Sequence, residues 1–562
     1  MRNIRFSYVV GLLLGGATLL GSCSKELELQ PENNLLTVEQ VKEAGNAFAD
    51  RAAGFEEGLY AELKVRGRIA SDHSDFGIAS MGLILGQRGS DMFANHSSYD
   101  WYRDDLLYRS NAPERSMPNY VYRTFYAFIN QANKLLLNTD ANSKDPEIIR
   151  YHAEAKAFRA WAYMNLIQLY QFTYKGHESE LGVPIVDENM TLADQINNPR
   201  KTVQEVYDYI EKNLLEAEKA FKTEGVKKTT SNVYINENTV NGFLARLYLL
   251  KQDYVKAAER ADAVITQAMD KAPYSIEEAS RPNFYDGEDK NVIWASVQTA
   301  NDPITTSGII NWESMMCMLT AQNAYAPLAP RMINPDLYAR IPDDDARRNW
   351  WITLIVSKDR TEINLNGLKN YYIHRGLSPE DAIDAAKYVV RDRVGLVKNA
   401  TIKFGFADDD IDKVENSSDY PLMRIEEMYY IKAEALYMSG NTDEGVNTLE
   451  DFVKQYRQPS YSVMASTAEE FIDEIYFQRR VEFWGEMLPY YDMMRLNKDM
   501  QREGALVKKE TIKKFNYPEK ARFNVAAGSD KLILQFPRRE VLQNRALKGN
   551  ENPLPALPDK FF

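Results

Sequence analysis

The chain has 562 residues, 44% of them hydrophobic and 27% charged, and a net charge of -13. That is the make-up of an ordinary globular protein, and its acidity excludes nucleic acid as a partner, because phosphate binding needs a basic surface. With two cysteines in all, Cys23 and Cys317, it has no cysteine framework on which to build a fold or a metal centre.

Residues 1–22 have a basic start (Arg2, Arg5), an apolar core from Tyr8 to Leu20 and a small-residue exit through Gly21 and Ser22. This is an export signal, since a comfortable membrane span needs about 20 apolar residues. "LGSC" resembles the lipobox of bacterial lipoproteins. That resemblance makes Cys23 the mature N-terminus, carrying palmitate and further acyl chains, and several chains anchor stably where one does not. Residues 23–36 are polar and without period, as a tether would be.

Helical periodicity then takes over. In "VYRTFYAFINQANKLLLN" (121–138) Phe125, Phe128, Ile129, Ala132 and Leu136 share one face. Residues 152–172, 202–221 and 239–269 follow the same period. At constant offset, Ala245, Leu250, Ala257, Ala258, Ala261, Val264 and Ile265 match Ala433, Met438, Gly445, Val446, Leu449, Phe452 and Val453. Small residues fall where two helices approach and large ones where they pack on a neighbour, so the expectation is tetratricopeptide-like hairpins that stack. The 34 tyrosines exceed what a core usually takes and suit a binding surface.

From about 270 to 420 the periodicity fails. Pro-, Asn- and Asp-rich stretches alternate with strand-like pieces such as "NVIWASV", and long irregular segments on a rigid scaffold usually carry function. Cys317 lies here, in "WESMMCML", and reads as a buried thiol. "DDDIDKVENSSD" (408–419) spaces Asp408, Asp410 and Asp412 as calcium ligands, but Lys413 stands where the loop needs glycine, so it reads as a solvated acidic loop.

The densest signal is near the C-terminus. In "FIDEIYFQRRVEFWGEMLPYYDMMRLNKD" (471–499) a helix would bring Arg479, Glu482 and Glu486 onto one face. "YPLMRIEEMYYIKAEALYMSG" (420–440) would do the same with Arg424, Glu427 and Glu434. Carboxylates interleaved with arginines are held ionised, which favours structural ion pairs over a glycosidase acid and base. A secreted glycosidase using Glu482 and Glu486 is the competing enzyme reading; it needs them in an open cleft from opposite sides of the sugar.

Together with the lipobox, these segments resemble the SusD/RagB family of outer-membrane lipoproteins of Bacteroidota. "YPLMRIEEMYYIKAEALYMSG" is similar to that family's P-x-x-R-x-x-E-x-x-x-x-x-A-E-A-x-x-x-x-G helix, and "RRVEFWGEMLPYYDMMR" to its R-R-x-E-x-x-x-E-G-x-R-x-x-D-x-x-R segment. "EAKAFRAWAYMNLIQLY", with Glu154 and Arg159, and "LILQFPRREVLQN" match two further blocks. Met487, Pro489 and Gln478 depart from the family's usual glycine, arginine and glutamate. The proline removes a backbone donor and bears on the local helix path.

The resemblance implies a mostly α, SusD-like superhelix of tetratricopeptide-like hairpins with a loop-rich, partly β insert. One domain would span 37–562, its scaffold at about 37–270 and 420–500 and its ligand region at about 271–419. It also implies a lipid-anchored protein on the outer face of the outer membrane, partnered by a SusC-like TonB-dependent transporter, capturing a glycan or, alternatively, a peptide, with no catalysis and no cofactor. By the same resemblance ligand contacts come from an early loop and from the middle region. The aromatic candidates there are Trp101 and Tyr102 in "SSYDWYRDD", and Trp312, Asn323 and Tyr325 in "NWESMM" through "AQNAYAPLAP".

Overall fold

The computed structural model describes residues 49–68, 73–94, 99–227, 229–320, 324–356, 361–393, 399–413, 415–508 and 516–555. The export signal, Cys23, the tether and Asn323 lie outside the described residues.

The scaffold is helical. Its N-terminal part holds α1 (Ala49–Glu62), α2 (Ala79–Arg88), α3 (Ser116–Leu137), α4 (Pro146–Tyr170), α5 (Val203–Phe221), α6 (Glu237–Lys251) and α7 (Tyr254–Gln267). Helix α8 (Trp312–Met316) lies in the middle region, and α9 (Ile425–Met438), α10 (Thr442–Tyr456), α11 (Ala468–Glu482), α12 (Leu488–Arg495) and α13 (Arg538–Gln543) follow it. Helix starts are marked by local chemistry. Thr202 caps α5 by accepting from Glu205 N at 3.1 Å while Glu205 Oε2 accepts from Thr202 N at 2.7 Å, and Thr467 and Glu470 repeat the arrangement at α11.

The two similar segments form the hairpins α6–α7 and α9–α10, and α7 packs against α9, so the pairs stack. The small residues sit where expected: a Cβ on Gly445 would come within 2.6 Å of Tyr437 N and 2.8 Å of Ala433 O. A satellite core of Tyr430, Leu449, Phe452, Val453, Phe471 and Ile475 fills the space among α9, α10 and α11.

Strands are short. They are β1 (Met92–Ala94), β2 (Leu181–Pro184), β3 (Arg200–Thr202), β4 (Val292–Ser296), β5 (Arg331–Ile333), β6 (Trp351–Val356), β7 (Thr361–Asn364), β8 (Ala400–Thr401) and β9 (Tyr420–Arg424). One sheet has the order β1-β5-β8-β6-β7, while β2 pairs β3 and β4 pairs β9, all antiparallel. Trp294 on β4 is buried and stands edge-on to Trp161 of α4 at 4.8 Å and to Phe243 of α6 at 5.5 Å, which locks the middle region onto the scaffold.

Two expected helices are shorter than their periodicity. Residues 420–424, headed by Tyr420 and Pro421, pair with β4, so Arg424 ends a strand and only precedes α9. The expected helix at 471–499 breaks between Glu482 and Leu488, which puts Glu486 in the turn. Met487 has φ 61°, the left-handed backbone that explains the glycine usual at this position. Pro489 falls in the first turn of α12, where a missing N–H costs nothing.

The tyrosine excess is largely structural. Many phenols are buried and donate to backbone carbonyls, as Tyr108 does to Arg88 O at 2.7 Å, Tyr120 to Gly77 O at 2.8 Å and Tyr517 to Ser90 O at 2.7 Å. They fasten irregular chain to the scaffold while their rings fill it.

Candidate functional site

The early loop and the middle region meet because β1 pairs with β5, setting Ala94 opposite Arg331. Arg331 is buried and donates to Asp100 Oδ1 at 2.7 Å, and its guanidinium lies 5.5 Å from the centre of the Tyr102 ring. Gln87 Nε2 reaches the same oxygen at 3.1 Å. Tyr102, fully buried, donates through its hydroxyl to Ser74 O at 3.2 Å. With Asp100 and Tyr102 both turned inward, Trp101 between them is turned out and is 38% exposed.

Tyr325 arrives from the other side and is itself buried, at 6% exposure, so it backs the site more than it lines it. Its N–H donates to Ser314 Oγ at 3.2 Å and Ala326 N donates to Ser314 O at 2.7 Å, so the segment hangs from α8. Helix α8 is itself tied down by Glu313, whose Oε2 accepts from Ser418 N at 3.0 Å and Ser418 Oγ at 2.8 Å. The Trp101 and Tyr325 rings meet edge to face, 5.8 Å apart at 76°. His73 stacks on Trp101 at 4.5 Å and 26°, and its Nδ1 is hydrogen-bonded to the Tyr325 hydroxyl. Tyr99, 45% exposed, lies 6.2 Å from Tyr325.

This is an aromatic platform with polar atoms in its frame. An exposed indole face accepts the C–H face of a sugar, and the exposed Tyr99 phenol near it can meet hydroxyls, while Tyr325 and His73 hold the indole in place. His73 is the member that sequence reasoning missed. It stands in "SDHSDFG", with no periodicity or motif around it, and a lone histidine carries no signal until the fold stacks it on Trp101.

Two candidates have other roles. Trp312 is 2% exposed and wedged between Phe404 at 4.9 Å and Tyr420 at 4.6 Å, so it packs the insert onto the scaffold and has no face for a ligand. Tyr102 is likewise buried, its hydroxyl bonded to Ser74 O and its ring beside the Arg331 guanidinium, so it has no face for a ligand.

The charged motif residues lie in the interior. Arg424 donates to Glu486 Oε2 at 2.9 Å and to Glu482 Oε1 at 3.1 Å, while Arg457 donates to both oxygens of Glu482 at 2.8 and 2.9 Å. Arg347 bonds Asp345 at 2.7 Å and lies 3.5 Å from Glu482, and Lys403 reaches Glu486 at 2.5 Å. Burial opposes ionisation of Glu482, but Arg457, Arg424 and Arg347 override it and hold its carboxyl well below the usual range. Burial pushes Lys403 down to about 8 in spite of Glu486. A second group joins Arg479 to Asp492 at 2.7 Å with Glu427 at 3.9 Å, Arg246 to Glu427 at 2.8 Å, and Arg495 to Glu434 at 2.5 Å. Carboxylates so clamped are poor proton donors; Glu482 is fully buried, and Glu486 borders a space of only about 50 Å³.

In the acidic loop Asp408 pairs with Lys413, and Asp410 Oδ1 accepts from Asp412 N at 3.0 Å. Among the described residues no group of three or more His, Cys, Asp or Glu is placed to hold a metal ion. Cys317 is buried, its Sγ 2.9 Å from Gly405 O, and burial pushes its thiol well up. No helix among the described residues is long and apolar enough to cross a membrane.

Comparison with known proteins gives a consistent result. A family profile described as starch-binding associating with outer membrane matches residues 78–249, and a SusD family profile matches residues 335–553. A SusD-like protein of Formosa agariphila is 23% identical over 280 residues, covering 49% of this chain and 47% of that protein, so the match spans about half the relative's length. Among solved structures, a SusD-like carbohydrate binding protein from Bacteroides vulgatus superposes with a TM-score of 0.69 at 20% identity, over 91% of this chain and 99% of that one. A SusD superfamily protein from Bacteroides thetaiotaomicron gives 0.64 at 21% identity, over 90% and 99%. At these identities the structures speak for the fold.

Proposed function

The chain belongs to the SusD family, and from that premise we propose that it is a glycan-binding lipoprotein of the outer-membrane surface, held by lipid on Cys23, that captures oligosaccharide or polysaccharide and passes it to a SusC-like TonB-dependent transporter. The observation that carries the binding part is the platform. His73 and Tyr325, 252 residues apart in sequence, come together around Trp101, and the fold spends a buried Arg331–Asp100 ion pair beneath it to turn that indole outward. Trp101 and Tyr99, 38% and 45% exposed, both lie against Tyr325, and grouped exposed rings of this kind mark interaction sites more than scattered ones do. One matching profile is that of starch-binding proteins associating with the outer membrane, and one structural relative is a carbohydrate binding protein, which supports a sugar as the ligand.

Peptide capture is the alternative, and it would need free backbone edges or side-chain pockets where this site offers ring faces. No catalytic role is assigned to Glu482 or Glu486, because both are buried and committed to arginine or lysine partners. The test is a binding screen of the purified protein against polysaccharides and peptides, repeated with Trp101→Ala. Retention of a polysaccharide that the variant loses while keeping its melting temperature supports the proposal. Binding confined to peptides, or polysaccharide binding indifferent to Trp101, overturns it.

A further inference from the structure

The chain after β2 is irregular, yet buried groups pin it from beneath. The Tyr126 hydroxyl donates to Pro184 O at 2.7 Å, Asn133 Nδ2 donates to Val186 O at 3.0 Å, and Val186 N donates to the Tyr163 hydroxyl at 2.7 Å. Arg159, the buried arginine of the "EAKAFRAWAY" block, fixes this wall at two points: it donates to Asn133 Oδ1 at 2.7 Å and pairs with Glu188. The opposite wall is closed by a reciprocal pair, Asn198 N to Asn544 Oδ1 at 3.0 Å and Asn544 Nδ2 to Asn198 O at 2.7 Å. So much buried hydrogen bonding spent on a loop makes it a rigid surface.

Between α3, this loop and α13 the walls line an open cavity of about 430 Å³. That falls within the size range of small-molecule sites, roughly 300–1,000 Å³. By contrast, the pocket beside Arg246, Glu427 and Arg479 has about 50 Å³, enough for water alone. Facing the larger one are the Tyr122 and Tyr126 rings, 4.3 Å apart, the amides of Asn130 and Gln195, and the carboxylates of Asp187 and Glu540. Burial raises the Glu540 carboxyl, with the Tyr122 hydroxyl opposing it. Lys134, the cation on the rim, is shared with Gln131 at 2.9 Å.

Amides that donate and accept, carboxylates that accept hydroxyl protons, and phenol rings make a set for a polyhydroxylated ring, and the excess of carboxylates over cations repels an anionic one. We propose that this cavity is a second, smaller saccharide site, holding one neutral hexose or hexosamine unit independently of the Trp101 platform. For its ligand class the proposal rests on the saccharide reading above.

The experiment is saturation-transfer NMR with glucose, galactose, mannose, glucosamine and glucuronate as probes, on wild-type protein, Trp101→Ala, and two cavity variants. Asn130→Trp fills the space from an exposed helix position, and Glu540→Leu removes the carboxylate. The expected result is a signal from at least one neutral or amino sugar that persists in Trp101→Ala and falls at least fivefold in both cavity variants, with glucuronate silent. Absence of signal from every neutral and amino sugar in Trp101→Ala, or a signal untouched by the folded cavity variants, overturns the proposal. Failure of the platform reading has a different signature: polysaccharide binding indifferent to Trp101, with the monosaccharide signal still answering to Asn130 and Glu540.

Discussion

Replacing Glu482 with glutamine keeps the shape of the side chain and removes one charge from a closed set. The buried cations Arg347, Arg424, Arg457 and Lys403 are met by the buried carboxylates Asp345, Glu426, Glu482 and Glu486. Glutamine at 482 leaves one positive charge uncompensated away from water, a change that typically costs about 3–5 kcal/mol. With an unfolding entropy of about 2.1 cal/mol/K per residue over roughly 500 ordered residues, that is a fall of about 3–5 °C in Tm. The pH dependence adds a check. Since the folded-state pKa of Glu482 lies below the ordinary value of 4.5, its stabilisation is complete above that value and is lost as pH falls through the folded one. The gap between wild type and variant should therefore be full at pH 7 and narrow in acid. Scanning calorimetry across pH, with the solvent-exposed Lys212→Ala as a control expected to melt like wild type, measures both. A Glu482→Gln protein that melts within 1 °C of wild type at pH 7 would refute the charge-balance argument.

Other outcomes follow from the same structure. Alanine at Trp101 should weaken binding of the true glycan by about 1–3 kcal/mol, a range taken from base stacking on aromatics, with little change in Tm. Alanine at Trp312 should do the reverse in character, costing about 3–5 kcal/mol of stability as a large buried ring is lost, which urea unfolding would measure. Asp105 is buried and its carboxyl is pushed up to about 7 by burial, against the Ser110 hydroxyl and Arg88. Its contribution is present below the ordinary 3.8 and lost as pH rises through 7, so Asp105→Asn should gain in Tm relative to wild type between pH 4 and pH 8. Serine at Cys23 should release the protein from the membrane fraction of cells lacking the partner transporter, read by fractionation and immunoblotting.

What could be read from the chain alone was whatever depends on neighbours in sequence. The helical period from 121 to 269, the matched small residues of the hairpins α6–α7 and α9–α10, and the interleaving of arginine with glutamate near residue 480 are all local patterns, since a helix brings residues three and four apart together wherever it lies. The same local rule ran too far at Arg424 and Glu486. There a strand pairing with β4 and a left-handed Met487 end the helices, and neither leaves a periodic trace. Exposure was decided by tertiary structure alone. Trp101 and Trp312 both stand outside the long periodic helices, but β1–β5 pairing and the Asp100–Arg331 pair turn one outward, while Phe404 and Tyr420 close over the other. His73 became legible only when the fold stacked it on Trp101 and bonded it to Tyr325, 252 residues away, because neither contact follows a helix or strand period.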